Sequence, residues 1–238
     1  MYNELIWQQY IDRVSETGDL LLQAWRLNKL PFYHVSSMET IVRSTFGQQV
    51  KTLANINVID FGCGTGQHLY LLSMIYQEAK CYGVNLHSPY KLPHNNMNYG
   101  PNIDLFEGDI GDADVLSKNG FQNTKFQRAL CNYTFGHLEY GQDTQFLKTA
   151  YECLETDGVF SMWDIAPSTH MGGELYGYKL RPPTEVVEML KDAGFKRAQF
   201  SVMPYAKIAK SFKQVVSKQD TEAFLKETLP ILYVATKE

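Results

Sequence analysis

The 238 residues carry 22 Lys and Arg against 26 Asp and Glu, a formal net charge of −4, with 44% hydrophobic and 20% charged side chains. That supplies one substantial core without calling for two, and it lacks the basic face with which nucleic-acid binders neutralise phosphates, so no nucleic acid is expected as a partner. No apolar run approaches the roughly 20 residues that cross a bilayer, and Met1-Tyr2-Asn3-Glu4 lacks the basic-then-apolar start of a signal peptide; no membrane association and a cytoplasmic location are expected.

In chain order, Leu5, Ile6, Tyr10 and Val14, and then Leu20, Leu21, Ala24, Trp25 and Leu27, stand at helical spacing up to a break at Leu30-Pro31-Phe32-Tyr33-His34. From residue 57 onward, strand-like and helix-like segments alternate. Strands are expected at 58–61, 80–85, 103–108, 126–132, 158–165, 196–203 and 231–236, and helices at 67–77, 143–154 and 184–193. This alternation predicts an α/β fold: an open, mostly parallel sheet of seven strands with helices on both faces. With no repeat, low-complexity tract or long linker, the chain reads as a single domain over 1–238. Residues 1–45 are expected as a helical lid and 50–238 as the α/β core, with 166–183 as an insert between the fifth strand and the next helix. Cys63, Cys81, Cys131 and Cys153 lie far apart and read as reduced thiols. His87 and His94 are too scattered relative to any carboxylate to predict a metal site.

The stretch Val58-Ile59-Asp60-Phe61-Gly62-Cys63-Gly64-Thr65-Gly66-Gln67 places glycine at every second position between an apolar strand and a helix. Without a Cβ, such a loop lets backbone approach a bound molecule closely. Its spacing is neither the G-x-G-x-x-G of dinucleotide-binding proteins nor a P-loop. Here the chain resembles the class I S-adenosylmethionine-dependent methyltransferases, and four further stretches extend the resemblance in order over residues 57–203. They are Val84-Asn85-Leu86, Glu107-Gly108-Asp109-Ile110, Leu130-Cys131-Asn132-Tyr133-Thr134-Phe135-Gly136-His137 and Cys153-Leu154-Glu155-Thr156-Asp157-Gly158. Leu190-Lys191-Asp192-Ala193-Gly194-Phe195 adds the corner before the sixth strand.

The resemblance implies a Rossmann-like fold and S-adenosylmethionine as cofactor, with S-adenosylhomocysteine as product. It implies that Gly62, Cys63, Gly64 and Gly66 run beside the methionine part, with Asp60 orienting the loop and the ammonium group. Asn85, with Leu86, stands where the family usually has an acidic residue for the ribose; Asp109 and Ile110 meet the adenine, and Asn132 and Tyr133 lie nearest the sulfonium. His137 occupies a position where many small-molecule methyltransferases carry histidine, so His137 and Tyr133 are the catalytic candidates. Tyr33, His34, His170, Tyr176 and Tyr178 are the candidate substrate contacts. The insert offers aromatic and apolar surface plus Lys179 and Arg181, suited to a hydrophobic acceptor bearing a negative group. The expected activity is methyl transfer to a small, mostly apolar metabolite of secondary metabolism, at C, N or O. A protein or peptide methyltransferase and a non-catalytic binding subunit stay open, as does the oligomeric state, homodimer included.

Overall fold

A computed structural model describes residues 55–64, 66–75, 78–88, 100–168, 172–175, 178–202 and 228–238. The expected lid over 1–45, with Tyr33 and His34, lies outside the described residues, as do His170 and Tyr176.

Strand β1 (Asn57–Phe61) is buried from Val58 onward, as a central strand covered on both faces must be. It runs through the glycine loop into α1 (Gln67–Ile75) and then β2 (Lys80–Asn85), β3 (Ile103–Glu107), α2 (Val115–Lys118) and β4 (Phe126–Asn132). A short turn of 3-10 helix, Phe135–His137, leads to α3 (Gln142–Cys153), β5 (Leu154–Pro167), β6 (Gly173–Leu175), β7 (Tyr178–Leu180), α4 (Pro183–Asp192), β8 (Arg197–Val202) and β9 (Thr228–Thr236). Seven strands form one sheet in the order β3-β2-β1-β4-β5-β9-β8, and β6 and β7 form a separate hairpin. The first five pair in parallel, and β9 runs antiparallel to both β5 and β8. The fold is thus the expected Rossmann-like, mostly parallel sheet.

The two faces are built by alternation. Ile59 and Phe61 of β1, Ala129 and Cys131 of β4, and Phe160 and Met162 of β5 share a core with Phe146, Leu147 and Ala150 of α3 and Val186 and Leu190 of α4. Phe146 holds that core together through edge contacts with Phe61 at 5.3 Å and Phe160 at 6.0 Å. The residues in between face the other way: Asp60 meets His68 of α1, and Gly83 of β2 leaves room for Leu69.

Two boundaries differ from expectation. β5 begins at Leu154 rather than 158, because α3 passes straight into extended backbone and Leu154 pairs with Phe126. The polar Glu155-Thr156-Asp157 is carried as an irregularity, with Asp157 at φ 63° and its N–H donating to the Lys237 carbonyl. The expected insert contains the β6–β7 hairpin, with Glu174 paired to Lys179 in register.

The chain steps outward from β1 to β2 and β3 and then returns to β4 on the other side of β1. Ligands of open α/β sheets bind in the crevice at the carboxyl ends of the strands where order reverses in this way. The glycine loop leaves β1 at that point.

Candidate functional site

Gly62, Gly64 and Gly66 all have left-handed backbone, at φ 76°, 55° and 74°, a conformation costly for residues with a Cβ. The loop is tied down by its own amides. Gly62 and Cys63 N–H both donate to the Val84 carbonyl at 2.7 and 3.0 Å, Gly66 N–H to Cys63 at 2.8 Å, and Gly64 N–H to Asn85 Oδ1 at 3.2 Å. Phosphate-binding loops leave such amides for the anion; here four are already used. Two carbonyls keep capacity instead, since Gly62 O accepts from Thr134 Oγ1 at 3.3 Å and Gly64 O from Cys63 Sγ at 3.7 Å, and a carbonyl has two lone pairs. The loop therefore presents acceptors, the polarity suited to a cationic ligand. A Cβ on Gly62 would fall 2.3 Å from Thr134 Oγ1, whereas one on Gly64 would meet no described residue within 4 Å.

Below the loop, Asp60 is fully buried and Asn132 is 7% exposed. Both Asp60 carboxylate oxygens and Asn132 Oδ1 lack a hydrogen-bond donor among the described residues. Beside them stands His68 on α1, whose Nδ1 lies 3.6 Å from Asp60 Oδ2 and 3.3 Å from Asn132 Nδ2. Burial, followed by the Asp60 charge, raises the Cys63 thiol well above its ordinary pKa and pushes Cys81 to about 12. Burial first, then Asp164 and Asp60, raises Cys131 likewise. All four cysteines are buried free thiols, protonated at neutral pH.

On the β2–β3 side, the Asn85 carboxamide is engaged at both ends. Its Oδ1 accepts from Gly64, and its Nδ2 donates to the His87 carbonyl at 2.9 Å. Leu86 beside it is 59% exposed and Ile110 is buried. Asp109 is exposed; its Oδ1 accepts from Gly111 N–H at 2.9 Å, an Asx turn that fixes the backbone after β3.

Toward β4 and β5, Tyr133 adopts φ 52°, uncommon for a bulky residue. Its N–H donates to the Trp163 carbonyl at 2.8 Å, and its hydroxyl accepts from Trp163 Nε1. His137 is exposed at the corner, its ring edge-on to Tyr178 at 4.8 Å. Tyr178 is not an open contact on the insert: it is 8% exposed, and its hydroxyl donates to the buried Asp164. The insert's cations are also engaged. Lys179 pairs with Glu139 at 2.7 Å and Arg181 with Asp143 at 2.6 Å, so the expected pair of cations for an anionic acceptor is already matched by carboxylates. Among the described residues no three His, Cys, Asp or Glu gather as a metal-binding group, and no helix is long and apolar enough to cross a membrane.

Burial pushes the Asp164 carboxyl up to about 7, against the opposing hydrogen bonds from Tyr178 and Ile165 and the charge of Arg181. A carboxyl raised in the fold stabilises it fully below its unfolded value, about 3.9, and that contribution is lost as pH rises through about 7. Asp164→Asn keeps an Oδ1 for both donors and cannot ionise. Melting temperature measured across pH should therefore fall toward alkaline pH in the wild type and stay flatter in the variant; parallel profiles would contradict the assignment.

His68, Trp163 and Asp164 escaped the sequence reading. Each is defined by a partner on another strand or helix, and no local spacing marks it.

Residues 58–158 match the family model described as a methyltransferase domain. No curated protein sequence matches the chain. Among solved structures, the chain is similar to phosphoethanolamine N-methyltransferase 2 of Haemonchus contortus in complex with S-adenosyl-L-methionine. The two are 13% identical with a TM-score of 0.64, over 85% of this chain and 52% of that one. It thus spans about half the length of that protein. It is also similar to 1,6-didemethyltoxoflavin-N1-methyltransferase of Burkholderia thailandensis, bound to 1,6-didemethyltoxoflavin and S-adenosylhomocysteine (15% identity, TM-score 0.60, 98% of this chain and 88% of that one). A third is the [4+2]-cyclase SpnF (11% identity, TM-score 0.63, 85% and 80%). Likeness at these identities is a likeness of fold.

Proposed function

We propose, starting from a chain whose residues 58–158 match a methyltransferase-domain model, that the protein is an S-adenosylmethionine-dependent methyltransferase acting on a small, mostly apolar metabolite. One observation carries the reading. Three buried acceptor oxygens, two on Asp60 and one on Asn132, stand without donors among the described residues beside a loop whose described amides are already used. Buried acceptors left unpaired cost free energy, and a ligand bringing ammonium and sulfonium charge answers that demand where a dinucleotide phosphate does not.

When bound, S-adenosylmethionine supplies an electrophilic methyl group and leaves as S-adenosylhomocysteine. The chain's part is to bind, orient and exclude water. Gly62, Cys63, Gly64 and Gly66 hold the methionine part, with Asp60 facing its cation. Leu86 and the Asn85 segment take the ribose side, with Asn85 acting through the Gly64 amide that it fixes. Asp109 and Ile110 take the adenine. Asn132 and Tyr133 lie toward the methyl, with Tyr133 held by the Trp163 indole. His137, exposed at the β4 corner, is the group placed to accept a proton from an O or N acceptor. Residues 1–45 and 166–183 are assigned to the acceptor side, with Tyr33, His34, His170 and Tyr176 as its contacts. The neutralised Lys179 and Arg181 favour an uncharged acceptor in that region, and the reading places the enzyme in secondary metabolism in the cytoplasm.

Calorimetric titration of the ligand-free protein with S-adenosylmethionine and S-adenosylhomocysteine tests the reading, followed by a search of a metabolite extract for a compound that gains one methyl. Binding of both with transfer supports it. Binding without transfer selects a non-methylating use of the fold, as the similarity to a cyclase illustrates, and binding of neither overturns it.

A further inference from the structure

His68 lies between two groups with opposite requirements. It sits in the first turn of α1, 7% exposed, and its Nδ1 faces Asp60 Oδ2 at 3.6 Å and the Asn132 carboxamide at 3.3 Å. One ring nitrogen either accepts from an N–H or donates; it cannot do both. With a lone pair on Nδ1, Asn132 Nδ2, which lies 3.3 Å away, donates to it, and Asn132 Oδ1 is left as a buried acceptor. With a proton on Nδ1, the ring donates toward Asp60, and the carboxamide must turn its oxygen inward and present its NH2 group instead.

We propose that His68 is a positioning residue of the cofactor site, which acts through Asp60 and Asn132 to set affinity for a cationic ligand. This rests on the reading of that site as the seat of S-adenosylmethionine. With its lone pair on Nδ1, the uncharged ring keeps the Asp60 charge uncompensated and the Asn132 oxygen available. The imidazolium offsets the carboxylate and replaces that oxygen with a donor, and both changes oppose a cation. Ligand binding and protonation of His68 are therefore antagonistic, and by linkage cofactor binding expels a proton from the ring. The titratable groups grouped with Asp60 among the described residues are His68 itself and the thiols of Cys63 on the loop, Cys81 on β2 and Cys131 on β4. The thiols stay protonated throughout.

The test is calorimetric affinity for S-adenosylmethionine in the full chain from about pH 8 to about pH 5.5, the range in which histidine changes charge, with His68→Asn and His68→Leu beside the wild type. The ligand's own amine titrates equally in all three, so the result is the difference between their curves. His68→Asn accepts from Asn132 with its oxygen, as the uncharged ring does through Nδ1, but cannot charge. It is expected to bind like the wild type at the alkaline end and to escape an acid weakening of about tenfold. His68→Leu, which can do neither, is expected to bind about tenfold more weakly even at the alkaline end. A His68→Asn curve parallel to that of the wild type overturns the proposal, and so does Leu-variant binding within about twofold of wild type. Should the Leu variant fail to fold, as thermal unfolding would show, the comparison with Asn decides alone. A wild type that binds at no pH removes the cofactor reading itself, an outcome distinct from loss of the role of His68.

Discussion

Gly64→Val is expected to abolish S-adenosylmethionine binding, with a loss of at least about a hundredfold in affinity, while the protein remains folded. The separation is possible because no described residue lies within 4 Å of a Cβ at Gly64. The new side chain meets none of them there and, in the proposed reading, projects toward the ligand. The folding cost is confined to the left-handed backbone at φ 55°, about 1–2 kcal/mol. Gly120→Val supplies the control, since Gly120 has φ 82° and equally open surroundings but follows α2, away from the glycine loop. It should show a similar loss of stability with unchanged binding. Gly62→Ala is the wrong probe, because its Cβ would meet Thr134 at 2.3 Å and damage the rim itself. Thermal unfolding and calorimetry on the Gly64 and Gly120 variants check the claim. Wild-type affinity in Gly64→Val would mean the ligand does not lie along this loop.

Local pattern carries the sheet. β2 and β4 have the bounds their sequence predicts, 80–85 and 126–132, because each ends in apolar residues closed by an asparagine, Asn85 and Asn132. β5 was shortened by four residues because Glu155-Thr156-Asp157-Gly158 has turn composition. Only the pairing of Phe126 with Leu154 and the bonds to Lys237 make it strand, and both partners are remote in sequence. At the site, the left-handed glycines were legible from spacing, but the direction of their amides was not. Where Gly62 and Cys63 donate depends on β2 lying beside β1. Lys179 and Arg181 read as cations awaiting an anion because Glu139 and Asp143 stand about forty positions earlier, and nothing local announces the pairing. Tyr178 likewise read as a surface aromatic of the insert until Asp164, at the far end of β5, drew its hydroxyl inward.

The Asp143–Arg181 pair should be the costliest polar contact to break among the described residues. Arg181 is 4% exposed; its Nη2 donates to Asp143 Oδ2 at 2.6 Å and to the Leu138 carbonyl at 3.2 Å, and its guanidinium lies 4.7 Å from the Phe135 ring centre. Its Nε and Nη1 find no acceptor among the described residues, so the carboxylate is its main compensation. Asp143→Asn keeps Oδ1 for the Gly141 and Thr144 amides, at 2.9 and 2.7 Å, but sets an NH2 group against the guanidinium. An unpaired buried charge of this kind destabilises by about 3–5 kcal/mol. Arg181→Met should cost less, since Asp143 would keep those two amide donors, and adding it to Asp143→Asn should restore part of the loss because the stranded cation is gone. The pair also anchors the end of the β6–β7 hairpin to the β4 corner that carries His137. Folded Arg181→Met is therefore expected to raise KM for the methyl acceptor while leaving S-adenosylmethionine affinity near wild type. Urea unfolding of the three variants gives the stability order. A double variant less stable than Asp143→Asn would show that the two residues do not act as a charge pair.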